Sequence, residues 1–367
     1  MNDVKLDLLG MTRDEALAAA RERLSRGAGL AAAIHRIAHR EGRLDPECLG
    51  ASPRSADSWR EHFSVGGASI VRTIDERDPT RGSPTSKAVL RSVDGAEYET
   101  VRIPIGDRKE SQCVSSQVGC AMGCRFCETA LLGKRRDLDA AEIVGQIVVA
   151  RRELRWRPRT VVFQGMGEPL DALPSVQAAI AVLCDRNGLA FAQDRITICT
   201  AGHADGIRRL GELGLRRVNL SLSLNVADDA RRKALMPLAR RFTLADLRDA
   251  LIAIRPRRNW QLGIHVCLMP GINDSRDDAR AVAAFCRPLG RVMVHLIPYN
   301  PGSRPLARAP SEAEIARFVG WLRDEDLPVR RRITKGRSVM AACGQLGRTG
   351  PAPDGKEGFP GQDSNLN

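Results

Sequence analysis

The sequence predicts an α/β protein whose core is an incomplete parallel (β/α) barrel, preceded by a small helical domain and a β-hairpin. Short apolar runs rich in β-branched residues alternate with longer amphipathic stretches; the runs are TVVFQG, RITICTAG, RVNLSLSLN, LGIHVCLMP and RVMVHLIPYN. Near-continuous apolar runs are typical of strands buried on both faces, and most spacers are long enough for crossover helices. The runs are too few for a closed eight-unit barrel.

Shifts in pattern along the chain predict four parts. They are a helical accessory domain, a linker with a β-hairpin, the barrel core and a disordered tail, over residues 1–68, 69–105, 106–346 and 347–367. The hairpin is predicted because apolar and polar residues alternate on both sides of Asp94-Gly95, which suits a two-residue turn. The tail is rich in glycine and proline and poor in apolar residues, so it lacks the side chains that fill a core.

Two helix starts carry a capping pattern, in which a short polar residue is followed three positions later by glutamate. Thr12 and Glu15 begin the first helix of the accessory domain, and Asp139 and Glu142 begin the first helix of the core. Both are followed by apolar residues at helical spacing. We therefore expect a helix directly after Thr12 and another directly after Asp139.

Composition favours a nucleic acid partner. The net charge is +13, from 57 Lys and Arg against 44 Asp and Glu, with basic runs RRELRWRPR, RRKALMPLARR, RPRR and RRRITKGR. A polyanion would be attracted to these runs, although they could also be solvated helix faces. The chain shows no leader pattern and no apolar run of membrane-spanning length, so we expect a monomeric cytoplasmic protein without a membrane partner. Its ten cysteines would then serve metal or thiol chemistry rather than a disulfide framework.

The strongest local signal is three cysteines within eight residues, Cys120, Cys124 and Cys127. Structural zinc sites and fully ligated clusters usually take four protein ligands, so three thiols leave one metal position open. An open position is typical of catalysis. The alternatives are three cysteines packed in a core, or a zinc site completed by Cys113 or His203.

Small or polar residues follow most of the predicted strands, at the rim where parallel βα folds bind ligands. The pair Gly167-Glu168 follows TVVFQ. Glycine there lets backbone approach a ligand closely, and the carboxylate can accept from a ligand amine. The alternative is a simple turn with an incidental carboxylate. The other residues in this position are Cys199, Ser223, Leu224, Asn225 and Asn300.

Five motifs, in order over roughly residues 87–346, give the sequence a specific resemblance. CVSSQVGCAMGCRFCETA, QGMGEPL, SLN, IPYNP and AACGQL together resemble the radical SAM (S-adenosylmethionine) adenine C2-methyltransferases of 23S rRNA and tRNA, and their C8-methylating relatives. The resemblance implies a radical SAM barrel, one 4Fe-4S cluster on the cysteine triplet, and an electron donor such as a flavodoxin or ferredoxin. It implies SAM contacts at Gly167, Glu168, Cys199, Ser223, Leu224, Asn225 and Asn300. Cys199 and Asn225 stand where the family commonly has serine and histidine, and ETALLGKRRDL also departs from the usual pattern.

The resemblance also implies the catalytic residues. Cys343 accepts a methyl group from one SAM, and a radical formed from a second SAM removes hydrogen from that methyl. The resulting carbon adds to the adenine ring, and Glu99 takes the ring proton; Glu97 lies on the same strand face and competes for this role. Cys113 then attacks the sulfur of Cys343, releasing the product and leaving a disulfide. Ordinary buried thiols are expected at Cys48, Cys184, Cys267 and Cys286.

Two other functions stay open from the sequence. The chain could be a non-catalytic RNA-binding protein whose metal or Fe-S site is structural. It could also be a radical SAM enzyme that acts on a substrate other than RNA. Within the resembled family we expect methylation at carbon 2 rather than carbon 8 of adenine.

Overall fold

A computed structural model describes residues 4–76, 84–106, 109–215, 217–254 and 261–347. The predicted disordered tail therefore lies outside the described residues, apart from Gly347, as does the basic run RPRR. Within the described ranges, no helix is both long and apolar enough to cross a lipid bilayer.

The strands and helices follow one another in a βα pattern through most of the chain. The strands are β1 (Leu6–Asp7), β2 (Phe63–Ser64), β3 (Ser69–Asp75), β4 (Ser86–Arg91), β5 (Glu97–Ile105), β6 (Lys109–Val114), β7 (Gln117–Gly119), β8 (Lys134–Asp137), β9 (Thr160–Phe163), β10 (Ile196–Thr200), β11 (Asn219–Ser223), β12 (Leu262–Leu268), β13 (Val292–Pro298) and β14 (Val329–Arg331). The helices are α1 (Arg13–Arg23), α2 (Ala31–Glu41), α3 (Pro53–His62), α4 (Glu128–Leu131), α5 (Ala140–Glu153), α6 (Leu173–Cys184), α7 (Ala204–Glu212), α8 (Asp229–Leu235), α9 (Leu244–Ala253), α10 (Arg276–Cys286) and α11 (Glu312–Asp324).

A ten-stranded mixed sheet forms the centre of the described chain. Seven strands run parallel in the order β6-β9-β10-β11-β12-β13-β14, and β5, β4 and β3 extend the sheet antiparallel beyond β6. Helices connect the parallel strands, and α5 packs against α6, α7 against α9, and α10 against α11. In the described ranges β14 and β3 are the outer strands and do not pair with each other. The prediction of an α/β fold with an unclosed parallel sheet is confirmed.

All five apolar runs that predicted strands form strands, β9 to β13. β6 and β14 were not predicted. The sequence of β6, KESQCV, has only two apolar residues, and β14, VRR, is short and cationic. Both strands are recognisable only from their pairing, since β6 lies between β5 and β9 and β14 covers the edge of β13.

The β4–β5 hairpin forms as predicted, but the expected two-residue turn is wrong. Ser92 N–H donates to Ala96 O at 2.9 Å, and Gly95 N–H donates to Ser92 O at 3.0 Å. Gly95 has φ +80°, and the Asp94 carboxylate accepts from Ala96 N–H. The loop therefore has three residues, with glycine in the left-handed position, which is the next most common hairpin geometry.

Both predicted helix caps are confirmed. The Thr12 side chain accepts from Glu15 N–H and Glu15 accepts from the Thr12 backbone; Asp139 and Glu142 do the same at the start of α5. The N-terminal helices pack behind the sheet against α5 and α6, where Arg13 N–H donates to Asp185 at 2.6 Å. The buried side chains of these helices and of the barrel core form one continuous cluster.

The end of β6 is fixed by a side chain from α5. The fully buried amide of Gln146 accepts from Ser115 N–H at 2.9 Å and donates to Ser115 O at 2.9 Å. This amide therefore pairs with the backbone as a neighbouring strand would. It satisfies two buried backbone groups at the point where the chain leaves the sheet toward the cysteine triplet.

Replacing Gln146 with leucine is expected to destabilise the protein by about 2–5 kcal/mol, because each buried polar group left without a partner costs about 1–3 kcal/mol. The measurement is urea unfolding followed by circular dichroism. Gln177→Leu on the half-buried face of α6 is the matched control, for which a change of only about 0.5 kcal/mol is expected. Equal effects of the two substitutions would show that the Gln146 amide is not a structural requirement.

Candidate active site

One cavity, open to solvent on one side, lies at the carboxyl ends of the parallel strands. Residues in or directly after β9 to β13 share its wall, so the sheet curves around it. Nine of the predicted site residues line this cavity: Cys120, Cys124, Cys127, Gly167, Glu168, Cys199, Ser223, Asn225 and Cys343. The structure thus brings together residues that are spread over more than two hundred positions of the sequence.

The cysteine triplet lies on a loop held by backbone contacts at both ends. Cys120 N–H donates to Gly133 O at 3.0 Å, and Glu128 N–H donates to Gly344 O at 2.8 Å. Gly119, just before the triplet, has φ +79°, and a Cβ there would lie 1.7 Å from Gly133 O. Glycine is therefore obligatory at this turn, because any side chain would break the contact between the loop and residue 133.

The three thiols fit a cluster ligand set with one open position. Burial raises the pKa of all three thiols, so their thiolate forms call for a compensating cation. Cys113 and His203, the candidates for a fourth ligand, do not line the cavity, and His203 Nδ1 instead accepts from Gly206 N–H at 3.0 Å. Over the described ranges no three His, Cys, Asp or Glu side chains are grouped to hold a single metal ion. In a cubane each cysteine binds a different iron, so the thiols need not converge on one point.

The glycines after β9 make room for the chain itself. A Cβ on Gly165 would lie 2.7 Å from Val114 O, and a Cβ on Gly167, where φ is +100°, would lie 2.6 Å from the Gln117 side chain. These glycines let the loop after β9 pack directly against the segment that leaves β6. Both also line the cavity, where their backbone is accessible.

Glu168 is the buried carboxylate of this loop. Its oxygens accept from Leu170 N–H at 3.1 Å and from Ala201 N–H at 2.7 Å. Burial raises the pKa of Glu168 to about 7, while these backbone hydrogen bonds act in the opposite direction. Each carboxylate oxygen has a second lone pair, so Glu168 can still accept from a ligand amine in the cavity.

The two residues that depart from the family pattern both use their side chains within the protein. The Cys199 thiol donates to Gln164 Oε1 at 3.5 Å. Asn225 has φ +57°, its Oδ1 accepts from Cys267 N–H at 3.0 Å, and its amide nitrogen contacts Met236 Sδ at 3.3 Å. Asparagine tolerates this left-handed conformation better than most residues. The backbone of Asn225 is also engaged within the protein, since its N–H donates to His265 O at 3.2 Å and its carbonyl accepts from Asn273 Nδ2 at 2.8 Å.

Two predicted SAM contacts lie away from this cavity. Leu224 is fully buried, and its carbonyl accepts from Arg232 Nε at 3.2 Å. Asn300 lines a smaller cavity that shares Cys343 with the first, and its amide donates to Cys343 O at 3.4 Å. Their predicted roles would need contacts through backbone or through the smaller cavity.

Cys343 and Cys113 differ in accessibility as their predicted roles require. Cys343 is exposed and lines the cavity, while its neighbours Ala341 and Ala342 are buried; Cys113, on β6, is only 7% exposed. Burial raises the pKa of the Cys113 thiol, and the charge of Arg332 opposes this shift. The expected disulfide is not present, since both are free cysteines.

Glu99 faces a separate cavity, next to the one that holds the triplet. It is 2% exposed and lies 3.2 Å from Lys87 Nζ, but Tyr98 and Thr100 on the opposite face of β5 are equally buried, so its burial does not follow from strand alternation. Burial raises the pKa of Glu99, against the lowering effect of Lys87. The competing residue Glu97 is partly exposed and pairs with Arg91 at 2.7 Å.

Sequence reasoning missed the positions of two residues near the site. Arg232, read as part of a basic run, is 0% exposed and donates to Ala201 O at 2.6 Å as well as to Leu224 O, so it ties together the loops after β10 and β11. Cys267, expected to be an ordinary buried thiol, lines the cavity, and Cys48 is exposed. An arginine within a charge run gives no sequence signal that it is buried.

The triplet-bearing region matches the radical SAM superfamily over residues 114–285. A probable dual-specificity RNA methyltransferase RlmN 1 from Protochlamydia amoebophila is 37% identical over 72% of this chain and 73% of its own length. A probable RNA methyltransferase from Sorangium cellulosum is 38% identical over 91% of this chain and 86% of its own length. The crystal structure of a radical SAM methyltransferase from Sphaerobacter thermophilus is similar with a TM-score of 0.85 and 31% identity, over 93% of this chain and 99% of that one.

Replacing any one of Cys120, Cys124 and Cys127 with alanine is expected to abolish iron binding. Three thiolates are the smallest protein ligand set that leaves one iron of a cubane open, so losing one releases the cluster. The measurement is iron content and visible absorption after anaerobic reconstitution. Cys184→Ala, on α6 and outside the cavity, is the control and should keep about 4 iron atoms per chain. Unchanged iron in any triplet variant would remove the cluster assignment.

Proposed function

Since the chain belongs to the family of radical SAM RNA methyltransferases that contains RlmN, we propose that it methylates carbon 2 of an adenine in rRNA or tRNA. One observation carries this proposal beyond family membership. The Cys343 thiol lies on the wall of the same cavity as all three triplet cysteines. A thiol so placed can receive a methyl group from a ligand in that cavity and then present it to a substrate.

The cofactors of this reaction would be one 4Fe-4S cluster and SAM. Cys120, Cys124 and Cys127 would hold the cluster, and the residues after β9 to β11 would hold SAM, with the Glu168 carboxylate near its amine. When bound, the cluster and SAM supply one-electron chemistry that yields a carbon radical. The remaining requirements, which are a methyl carrier, a base and a second thiol, fall to side chains of the protein.

Cys343, Glu99 and Cys113 would act in that order. The Cys343 sulfur carries the methyl carbon, which becomes bonded to the adenine ring as a thioether link between protein and RNA. Glu99 takes the proton from the attacked ring carbon, and the adduct also gives up its unpaired electron, which the oxidised cluster would accept, so that the ring regains its aromatic bonding. The Cys113 thiolate then attacks the Cys343 sulfur; an S–S bond forms, the C–S bond breaks, and its electron pair remains on the new methyl carbon, which is then protonated. An external thiol must reduce the disulfide before the next cycle.

RNA and an electron donor such as a flavodoxin or ferredoxin would be the partners, and the cytoplasm the location where these meet. The basic runs overstate the charge that is available to RNA, because several of their arginines are engaged within the protein. Arg331 pairs with Glu312 at 2.5 Å and Arg231 with Asp278 at 2.6 Å. Arg135, by contrast, is exposed beside the cavity that Glu99 lines and is well placed for a phosphate.

The function is tested by mass spectrometry of nucleosides from rRNA and tRNA of a strain that lacks the gene. We expect one methylated adenosine to disappear, to return with the wild-type gene, and not to return with Cys343→Ala. The chromatographic identity of that nucleoside distinguishes carbon 2 from carbon 8. A nucleoside profile unchanged by the deletion, in both RNA classes, would refute the proposal.

The three catalytic residues should give different trapped states. Cys113→Ala is expected to accumulate an RNA adduct on Cys343, because no second thiolate can displace it. Glu99→Gln should also stall as an adduct, but with the hydrogen label retained on the attacked carbon, and Cys343→Ala should form none. The measurement is denaturing electrophoresis with labelled RNA, followed by peptide mapping; Cys286→Ala, buried in the core, is the control. An adduct on another cysteine would rule out this mechanism.

A further inference from the structure

Lys87 and Glu99 form an ion pair in the interior of the hairpin. Their side chains are 0% and 2% exposed, and Lys87 Nζ lies 3.2 Å from Glu99 Oε1. They sit on adjacent strands, β4 and β5, where Lys87 is opposite Val101 and Glu99 opposite Val89. Burying two charges costs more solvation than their attraction returns unless further hydrogen bonds satisfy them. The other contacts of this pair therefore matter.

Two of those contacts go to the ends of one segment, residues 340–347, which carries the proposed methyl carrier Cys343. Lys87 Nζ donates to Met340 O at 3.1 Å, and Gly347 N–H donates to Glu99 Oε2 at 2.9 Å. Between these points the segment is tied to the loop that bears the cysteine triplet, where Thr129 Oγ1 donates to Leu346 O at 2.8 Å. The buried pair thus holds the Cys343 segment at its first and last residues.

The Cys343 segment also separates two cavities. Cys343, Gly344 and Leu346 line the cavity that holds the triplet, whereas Gly347 lines the cavity that holds Glu99. In this arrangement the methyl carrier and the base lie on opposite sides of the segment. One carboxylate oxygen of Glu99 is covered by Gly347 N–H. If both groups act on the same adenine, as in the proposed function, Gly347 is expected to leave Glu99 during the reaction.

We propose that Lys87 is a positioning residue, which holds Glu99 and the Cys343 segment in one clasp so that uncovering the base and releasing the methyl carrier occur together. This inference rests on the proposed function, because it assigns Glu99 and Cys343 the roles of base and methyl carrier. Lys87 touches neither RNA nor SAM in this scheme. It acts through Glu99 and through the backbone of residue 340.

The ammonium of Lys87 has an electrostatic effect that can be measured separately. It lowers the pKa of Glu99, against the larger raising effect of burial. The other charged groups that face Glu99 are Arg72 on β3, whose charge acts in the same direction as Lys87, and Arg135 and Glu97 at the cavity that Glu99 lines. Without Lys87 the pKa of Glu99 rises, so the base form is present only at higher pH.

The experiment compares the holoenzyme of Lys87→Met with wild type, using RNA methylation, the pH dependence of turnover and amide hydrogen exchange. We expect methylation of Cys343 in the absence of RNA to continue, because that step precedes the base. Turnover at neutral pH should fall by roughly 100-fold, the cost of misplacing a catalytic group by about 1 Å. The acid side of the pH–rate profile should move to higher pH, and the amide of Gly347 should exchange faster. A purely structural role would not shift the profile.

Three further variants test the inference, even if Lys87→Met does not fold. Lys87→Arg retains the positive charge on a side chain of different shape. Its pH–rate profile should stay at the wild-type position, while its turnover should be lower. Lys87→Met combined with Glu99→Gln should be no slower than Glu99→Gln alone, since Lys87 acts through Glu99. Lys5→Met, at an exposed lysine before β1, is the matched control and should equal wild type.

The outcomes separate this inference from the proposed function. A wild-type holoenzyme that methylates neither Cys343 nor RNA would overturn the function itself. If the wild type is active, the proposed role of Lys87 is contradicted when Lys87→Arg shows wild-type turnover and wild-type amide exchange at Gly347. It is equally overturned by an unshifted profile in Lys87→Met, or by a double variant slower than Glu99→Gln.

Discussion

The geometry of the site depends on the four hydrogen bonds of one buried residue, Ser115, which lies directly after β6. Its backbone pairs in both directions with the Gln146 amide of α5, its hydroxyl donates to Glu99 O at 2.6 Å, and the same hydroxyl accepts from Met166 N–H at 2.8 Å. These contacts join the crossover helix α5, the strand β5 that carries Glu99, and the loop after β9. Because each group is buried and fully paired, none of the three elements can shift without breaking a hydrogen bond.

This constraint shows what the sequence could and could not predict. Capping residues such as Asp139, the apolar strands and the cysteine triplet were predictable because each is a local pattern with a local physical cause. Ser115 and Arg232 were not, since their partners lie far away along the chain and their polar side chains resemble those of surface positions. β6 was missed for the same reason: its polar residues, including Gln112, are buried and bonded to other parts of the fold. When the burial of a polar residue depends on partners far along the chain, the sequence shows no periodic pattern that would predict it.

The departures from the family pattern are also explained by local structure. Asn225 suits a left-handed backbone position, and its side-chain oxygen accepts a hydrogen bond from Cys267 N–H. Glu128, next to the last triplet cysteine, is buried and accepts from the Ser303 hydroxyl at 2.8 Å, which ties the cluster loop to the segment after β13. Glu128 lies behind the cavity wall, whereas Asn225 forms part of that wall. They can therefore differ from the usual types while the backbone that faces the ligand stays in place.

The position of Cys343 between two cavities has a consequence for the order of events. In the proposed function, Cys343 would first face the cavity that holds the triplet and would later act together with Glu99, which lines a different cavity. The segment that carries Cys343 contains Gly344 with φ +85° and Gly347 with φ +106°, both conformations that other residues adopt only with strain. Two such glycines on either side of Gln345 and Leu346 allow the backbone to reorient at low cost. The buried Lys87–Glu99 pair, attached to the outer ends of this segment, would then determine when that reorientation takes place.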